Sequence, residues 1–455
     1  MNSAFYFRMQ NPKIHKKIMF NQNIAPSQIL KALAGFPHAV YLQNSGQPLI
    51  AFLADEYFVL ISQQLMHYSK TGLQAYASEE AEHLPELGSG MPAGNCSGRF
   101  QGGFMGFISY DYGASQQISL QQKNQPSLFL GRFSTYLEWT EAGWMLHCPA
   151  EDFAEIEALL RSSIQNLNHA ESFRLTAPCT ARWPKAQYAA AFQQVQEYIK
   201  AGDCYQINLT QEFCAPAHGA LLDTAEQFWR LTDAPYSGYL RIDDFELLSC
   251  SPELFIDFKT ERKIVTKPIK GTMPRFSDPV SDEQSKRALQ QSEKDQAENV
   301  MIVDLLRNDL SVYAETGSVK TPELFAIESF NQVHHMVSEV TATLKDDVNP
   351  FAMLLSALPG GSITGAPKIR AMQIIDELEG APRGAYCGSM GYFNHDGTGS
   401  WNILIRSIQK YQDEVSLWAG GGITIASDCD AEYQECFDKV SAMLNLLNTW
   451  RQPED

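Results

Sequence analysis

The chain has 455 residues, of which 44% are hydrophobic and 19% charged, so it can bury a large core and carries too little charge for a disordered chain. Its 35 Lys and Arg residues against 53 Asp and Glu residues give a formal net charge of −18, which argues against a nucleic-acid-binding protein. A site for anions remains possible, because a small site can be locally positive on an acidic protein. Nine scattered cysteines without a CxxC pair, and no apolar run long enough for a membrane helix, favour a reducing cytoplasm.

The first third of the sequence predicts short strands joined by turns and then a helix. The helix is predicted over 156–167, where apolar residues recur at helical spacing. Apolar, β-prone runs bounded by turn residues predict strands at 39–42, 49–53 and 57–61.

The segment 176–184 is the best candidate for a boundary along the chain. It contains two prolines and shows no hydrophobic periodicity. We therefore predict an N-terminal region over 1–175 and a catalytic, ligand-binding region over 185–452.

The C-terminal region mixes helices and strands without regular alternation. Helical spacing is found at 188–201, 281–310 and 431–450. Strands are predicted at 240–258, 263–269, 333–344, 387–393, 403–408 and 415–419. A mixture without βαβ alternation indicates an α+β architecture.

Two acidic pairs lie on predicted helices. Asp295 and Glu298 are three residues apart on one helix, and Glu432 and Glu435 are three apart on another, so each pair shares a helix face. A Mg²⁺ ion between the helices would offset the repulsion, because this ion accepts a few carboxylates and keeps positions for water and substrate oxygens. The spacing alone is equally consistent with two solvated helix faces.

Three further segments have residues suited to binding or catalysis. The glycine-rich segment 359–368 ends where a helix can begin, and such an end presents N–H groups to an anion. Glycines 420–422 end a predicted strand and permit close approach of a ligand. Lys270 lies between a proline and a glycine, and burial would lower its pKa and make it nucleophilic. Each segment by itself also fits an ordinary turn or an exposed lysine.

Eight segments occur in one order between about residues 100 and 440: GGFMGFISYD (102–111), GDCYQINLT (202–210), SPELF (251–255), PIKGT (268–272), AENVMIVDLLRND (297–309), VHHMVS (333–338), PGGSITGAPK (359–368) and AEYQECFDK (431–439). With these motifs the chain resembles the chorismate-utilising enzymes. The resemblance implies an α+β fold in which two large, mostly antiparallel sheets pack as a sandwich with helices outside. The first hundred residues match the family only loosely.

Two positions indicate which reaction the resemblance implies. Family members that activate water carry a lysine where this chain has Gln206, and members that make anthranilate carry an alanine where it has Lys270. The implied reaction is the conversion of chorismate and ammonia to 4-amino-4-deoxychorismate, which leads to 4-aminobenzoate and folate. One departure is Ser400, where the family often has aspartate, and it leaves the contacts near Asn402 in doubt.

The family's site residues carry over motif by motif. Lys270 would attack C2 of chorismate to give a covalent adduct, and Glu253 would protonate the leaving C4 hydroxyl. Glu298 and Glu435 would hold Mg²⁺. The resemblance implies the following substrate-binding positions: Asp295, His335, Thr364, Tyr386, Arg406, Gly420, Gly421, Gly422, Glu432 and Lys439.

The resemblance also implies a partner, because ammonia must be supplied and the chain has no surplus length for a glutaminase domain. A separate glutamine amidotransferase subunit is expected. Two alternatives stay open. One is an anthranilate-forming subunit with an unusual Lys270, and the other is a non-catalytic subunit that binds chorismate or tryptophan, although Glu253, Lys270, Glu298 and Glu435 are all present.

A second pocket is possible in the N-terminal region. Related anthranilate synthases bind tryptophan there, between a serine near the first strands and a proline-containing turn. The corresponding residues are Ser45 and the turn Pro235, Tyr236 and Ser237. A retained pocket and a vestigial pocket filled by side chains are both consistent with the sequence.

Overall fold

Two large β-sheets, stacked face to face and covered by helices, form the frame of the molecule. A computed structural model describes residues 14–21, 23–36, 38–44, 46–85, 87, 99–165, 172–330 and 333–452. The α+β sandwich implied by the resemblance is confirmed. No helix within these ranges is long and apolar enough to cross a membrane.

The strands are short, as the alternating apolar runs predict. The first twelve are β1 (Ile14–Phe20), β2 (Val40–Asn44), β3 (Gln47–Ala51), β4 (Glu56–Ile61), β5 (Gln64–Gly72), β6 (Ala75–Glu80), β7 (Gly103–Ile108), β8 (Leu128–Phe133), β9 (Tyr136–Thr140), β10 (Gly143–Pro149), β11 (Arg174–Leu175) and β12 (Thr180–Ala181). The others are β13 (Gln206–His218), β14 (Tyr236–Ile242), β15 (Phe245–Ser251), β16 (Leu254–Phe258), β17 (Lys263–Lys267), β18 (Ile269–Pro274), β19 (Lys320–Ser329), β20 (Val333–Thr343), β21 (Gly365–Ala366), β22 (Ser389–Asn394), β23 (Gly399–Asn402), β24 (Ser407–Tyr411) and β25 (Glu414–Ile423).

Both sheets are antiparallel, and the two predicted regions contribute strands to each. The first sheet has the order β1-β10-β9-β3-β2-β14-β15-β24-β25-β13-β11, with β12 and β21 also paired to β13. The second has the order β18-β20-β17-β16-β23-β22-β7-β8-β4-β5-β6, with β19 paired to β20. The sheets do not follow the predicted boundary at 176–184, which therefore stays a prediction.

The core between the sheets follows from the period of two along each strand. Val40 and Leu240 from the first sheet pack in one apolar cluster with Phe107 and Met390 from the second. Residues on the opposite faces of the strands pack against helices in two further clusters. Each sheet thus buries both faces, as a layered domain of this size requires.

Ten α-helices lie within the described residues. They are α1 (Pro26–Ala32), α2 (Tyr110–Ser115), α3 (Phe153–Gln165), α4 (Lys185–Ala201), α5 (Ala225–Thr232), α6 (Pro279–Gln290), α7 (Glu293–Ser311), α8 (Pro350–Ala357), α9 (Lys368–Glu379) and α10 (Cys429–Leu447).

Three predicted elements are wrong in their extent. The single strand predicted over 240–258 covers parts of three strands, β14, β15 and β16, and Asp243 between the first two has a φ of +48° in the left-handed region. The single helix predicted over 281–310 is two helices, because the Ser292 hydroxyl accepts a hydrogen bond from the Asp295 N–H and gives α7 its own N-terminus. The strand predicted over 403–408 starts only at Ser407, because Arg406 has a φ of +49° in the left-handed region, which no strand accommodates.

A buried ion pair joins α9 to the first sheet. The Arg383 guanidinium donates to both Glu379 carboxylate oxygens at 2.7 and 2.8 Å, and both residues are 1% exposed. It also donates to the carbonyl oxygens of Asn208 on β13 and of Ile363 in the glycine-rich segment. The Thr210 N–H and hydroxyl donate to the same Glu379 carboxylate at 2.9 and 2.7 Å. The Glu379–Arg383 pair therefore joins α9, β13 and the glycine-rich segment.

We predict that Arg383→Met lowers the free energy of unfolding by about 3–5 kcal/mol, because it leaves the Glu379 carboxylate buried and unpaired. Arg287→Met is the control: this arginine is exposed and pairs with Glu283 on the same helix, so its loss should cost less than about 1 kcal/mol. Urea unfolding measures both. Equal, small losses would show that the Glu379–Arg383 pair does not hold these elements together.

Candidate active site

Glu253 lies close to Lys270, near the start of β18 in the second sheet. Glu253 is in the link between β15 and β16 and is 5% exposed. Its carboxylate accepts a hydrogen bond from the Ser362 hydroxyl at 3.4 Å and another from the Ile269 N–H, next to Lys270 in the chain. Lys270 is half-buried near the start of β18. A carboxyl group and an amine therefore face the same space.

The surroundings favour the neutral form of both groups. Burial raises the pKa of Glu253 to about 7, although the positive charge of Lys270 opposes the shift. Burial, and then the ammonium group of Lys439, lower the pKa of Lys270, while Glu298, Glu253 and Glu435 act in the other direction. A neutral acid can donate a proton and a neutral amine can attack carbon, so both pKa shifts are in the direction that displacement chemistry needs.

The two predicted acidic pairs lie on different helices, α7 and α10, as expected. Glycine at position 421 lets the α10 pair approach β25: a Cβ there would lie 2.9 Å from Glu432 Oε2 and 3.1 Å from Glu435 Oε1. Burial and the neighbouring Glu435 carboxylate raise the pKa of Glu432. On α7, Asp295 packs against Gly271, beside Lys270. The carboxylates thus surround the lysine from two helices.

Lys294 shows that these carboxylates share one electrostatic environment. Its ammonium nitrogen is 3.9 Å from a Glu298 oxygen on α7, and its charge acts on both Glu432 and Glu435 on α10. The positive charge of Lys294 thus acts on three carboxylates from two helices. Oxygen donors of this kind fit Mg²⁺, although no group of three or more His, Cys, Asp or Glu side chains in the described residues is close enough to bind a metal as it stands.

Arg406 and Lys439 supply positive charge for an anionic ligand. The Arg406 guanidinium makes no ion pair within 4 Å in the described part of the chain, and burial lowers its pKa, so a carboxylate ligand would stabilise its charge. Lys439 Nζ lies 2.6 Å from a Glu435 oxygen and donates to the Gly420 carbonyl oxygen at 2.8 Å. These contacts link the cation directly to the predicted glycine segment.

Glycines 420–422 lie within β25, opposite Asn208 to Thr210 of β13. A Cβ at Gly420 would come 2.1 Å from the Leu209 carbonyl oxygen, and one at Gly422 would come 2.6 Å from Gln206 Nε2. The Gln206 amide nitrogen is buried and without a hydrogen-bond partner among the described residues. The glycines therefore allow Gln206 to approach the strand closely.

Three other predicted contacts are buried side chains. The His335 Nδ1 lies 2.9 Å from the Thr272 hydroxyl, and burial and the Arg406 charge lower the pKa of His335 to about 3, so its ring is neutral. The Thr364 hydroxyl donates to the Gly360 carbonyl oxygen at 2.9 Å. The Tyr386 ring stacks on Trp418 with centroids 5.9 Å apart.

The N-terminal pocket prediction has a partial structural counterpart. A cavity of about 20 Å³, room for about one water molecule, is lined by residues that include Tyr236, Ser237, Ser400 and Asn402. The Asn402 side chain donates to the Tyr236 carbonyl oxygen at 3.0 Å, and Ser400, the departure from the family pattern, lines the same cavity. Ser45 lies outside the described residues, and tryptophan binding stays a prediction.

Sequence reasoning missed three side chains at the site. Lys294 looks like an ordinary i,i+4 partner of Glu298, and Ser362 is one hydroxyl in a glycine-rich segment. Arg383 follows the glycine cap of α9, and nothing local indicates that it binds β13. Of the three, only Ser362 lies inside a recognised motif, and the motif does not indicate its partner.

Several known proteins are similar to this chain in sequence. The family model for chorismate binding enzymes matches residues 38–445. Aminodeoxychorismate synthase component 1 of Salmonella typhimurium is 42% identical over 352 residues, or 76% of this chain and 77% of that protein. The protein of the same name from Escherichia coli is 42% identical over 356 residues, with the same shares covered. An anthranilate synthase component 1 of Haloarcula marismortui is 34% identical over 377 residues, or 78% and 75% of the two chains.

Solved structures support the fold. Anthranilate synthase component I from Streptococcus pneumoniae has a TM-score of 0.74 at 23% identity, covering 88% of this chain and 92% of that one. The menaquinone-specific isochorismate synthase from Escherichia coli has a TM-score of 0.71 at 17% identity, covering 96% and 95%. The sandwich is thus shared by proteins named for different reactions.

The pKa of Glu253 predicts how stability depends on pH. The ordinary pKa of a glutamate is near 4.5, and that of Glu253 in the folded chain is about 7. Between these pH values the unfolded chain releases the Glu253 proton and the folded chain keeps it. The protonated carboxyl group therefore stabilises the fold fully below pH 4.5, and this contribution is lost as the pH rises through 7. Glutamine stays neutral at every pH. We predict that Glu253→Gln gains up to about 3 kcal/mol over the wild type between pH 5 and pH 8. A stability difference that is the same at both pH values in urea unfolding would contradict the raised pKa.

Proposed function

The chain belongs to the family of chorismate-binding enzymes, and on that premise we propose that it converts chorismate and ammonia to 4-amino-4-deoxychorismate, for 4-aminobenzoate and folate synthesis. The observation that carries this proposal is the pairing of Lys270 with Glu253, both of which the surroundings favour in the neutral form. The names of the bacterial relatives at 42% identity support the same reaction.

Lys270 acts as the nucleophile in the proposed mechanism. Its neutral amine forms a bond to C2 of chorismate, the ring double bonds shift, and the C4 hydroxyl leaves as water after accepting the Glu253 proton. Ammonia then bonds to C4, the double bonds shift back, and the lysine leaves as an amine. The proton that ammonia releases returns to Glu253. Two displacements keep the new amino group at C4.

Other side chains hold the substrate for this reaction. Arg406 and Lys439 bind the enolpyruvyl carboxylate, and Tyr386 and the N–H groups near Gly420 to Gly422 assist. His335 and Thr364 lie against the ring. Gln206 provides an amide where a general base for water would otherwise stand, which favours ammonia as the nucleophile.

Glu298 and Glu435 would hold Mg²⁺, with Asp295 and Glu432 beside them. The support is the cluster of carboxylates around Lys294, which already contains one positive charge. When bound, the ion supplies a Lewis acid for the ring carboxylate of chorismate.

Ammonia comes from a partner in this proposal. The relatives are named component 1, which implies a second component. We propose that this second component is a glutamine amidotransferase that releases ammonia to the site.

We predict that Lys270→Ala abolishes 4-amino-4-deoxychorismate formation, because no other amine in the site is placed to attack C2. Slow anthranilate formation can persist, since ammonia can then reach C2 directly. Products from chorismate, Mg²⁺ and ammonium salt are separated by mass spectrometry. Lys267→Ala, which removes a lysine that pairs with Glu328 and Glu339, is the control and should retain activity. Full retention of the 4-amino product by Lys270→Ala would exclude the lysine adduct.

We predict that Glu298→Gln and Glu435→Gln each weaken Mg²⁺ binding at least about 10-fold, because each removes a charged ligand with little change of shape. Calorimetry with Mg²⁺ alone gives the affinity, and the Mg²⁺ dependence of product formation gives a second readout. Glu293→Gln, an exposed residue in the first turn of α7, is the control. If both site variants bind Mg²⁺ like the wild type, the ion does not use these carboxylates.

A further inference from the structure

A hydrogen bond between two buried side chains joins α7 to β20. The Ser338 hydroxyl donates to Asn299 Oδ1 at 2.5 Å, and the two residues are 1% and 0% exposed. The same hydroxyl accepts the Phe325 N–H at 3.1 Å, so its orientation is set by bonds on both sides. The contact is therefore specific in direction as well as in distance.

Each partner of this hydrogen bond is connected to a residue of the site, either as its neighbour in the chain or through a backbone hydrogen bond. Asn299 follows Glu298 on α7. Ser338 donates its N–H to the Pro268 carbonyl oxygen at 3.2 Å, two residues before Lys270, and its neighbour Val337 pairs with Ile269. A continuous set of bonds thus leads from the Glu298 carboxylate, through Asn299 and Ser338, to the Lys270 amine.

The Asn299 side chain has a feature that lowers the stability of the fold. Its amide nitrogen is buried and has no hydrogen-bond partner among the described residues. An unpartnered buried donor destabilises a fold, and an apolar side chain of similar size would avoid that loss. This loss of stability indicates that the role of the Asn299 side chain is to place its Oδ1 atom.

We propose that Asn299 and Ser338 are positioning residues that set the distance between the Glu298 carboxylate and the Lys270 amine. Neither touches the substrate. They act because α7 carries a carboxylate for Mg²⁺ and β18 carries the nucleophile, and the hydrogen bond keeps the helix at a fixed place against the strands. This inference rests on the function proposed above.

The test is a double-mutant cycle of Ser338→Ala, Asn299→Leu and the double variant. Each single variant is expected to lower kcat by between about 10- and 100-fold, since small misplacements of reacting groups have effects of that size. Each should also weaken Mg²⁺ binding about 10-fold in calorimetry with Mg²⁺ alone. The double variant should match the single variants in both readouts, because all three lose the same bond.

Stability is measured in parallel, since replacing both partners by apolar groups restores stability that either single change loses. The proposal predicts a double variant that melts nearer the wild type while kcat stays low. Ser127→Ala is the matched control. Ser127 is a buried serine just before β8 of the same sheet, far from β18, and its hydroxyl donates to the Leu60 carbonyl oxygen at 3.3 Å.

Two outcomes would overturn the proposal. One is a Ser338→Ala variant with the kcat and Mg²⁺ affinity of the Ser127→Ala control. The other is a double variant whose losses are the product of the single losses, which would mean that the residues act independently. A wild-type enzyme that makes no 4-amino-4-deoxychorismate would refute the proposed function instead, and the Mg²⁺ affinities would still test the positioning of Glu298.

Discussion

The buried ion pair of Glu379 and Arg383 is the contact on which the site depends. It joins the end of α9 to β13 and to the glycine-rich segment, because Arg383 donates to the carbonyl oxygens of Asn208 and Ile363. Two parallel charge-assisted bonds give it a fixed geometry. Ser362, which bonds Glu253, lies in the glycine-rich segment, and Gln206, which approaches the β25 glycines, lies on β13. The Glu379–Arg383 pair therefore fixes the positions of both side chains. A buried pair of this kind contributes more to specificity of structure than to net stability.

Burial, rather than opposite charge, sets the chemistry of the site. Burial raises the pKa of Glu253 to about 7 and lowers the pKa of Lys270, so it shifts the acid and the amine toward each other. Arg406 stays available because no carboxylate of the described chain pairs with it. A protein with a net charge of −18 can therefore present a cationic site to a dicarboxylate.

The sheet framework was largely predictable because strand residues alternate between two buried faces. The break at Ser292 was also readable, since a serine three residues before an aspartate is a helix N-terminal signal. The residues on both sides of it are polar, however, so no change of pattern marked the break and one helix was predicted. The left-handed Arg406 has no signature, because an arginine between apolar residues looks like any strand position. The motifs located the site residues. The contacts around these residues depend on the packing of segments that are distant in sequence. Lys294 lies near α10, Arg383 bonds β13, and Asn299 accepts a hydrogen bond from Ser338.

The most direct test of the account is product analysis of the wild-type chain with chorismate, Mg²⁺ and ammonium salt. Mass spectrometry distinguishes 4-amino-4-deoxychorismate, which keeps the enolpyruvyl group, from anthranilate and from isochorismate. The account predicts 4-amino-4-deoxychorismate as the main product. Anthranilate as the main product from the wild type would contradict the role of Lys270, and isochorismate would contradict the preference for ammonia that Gln206 implies.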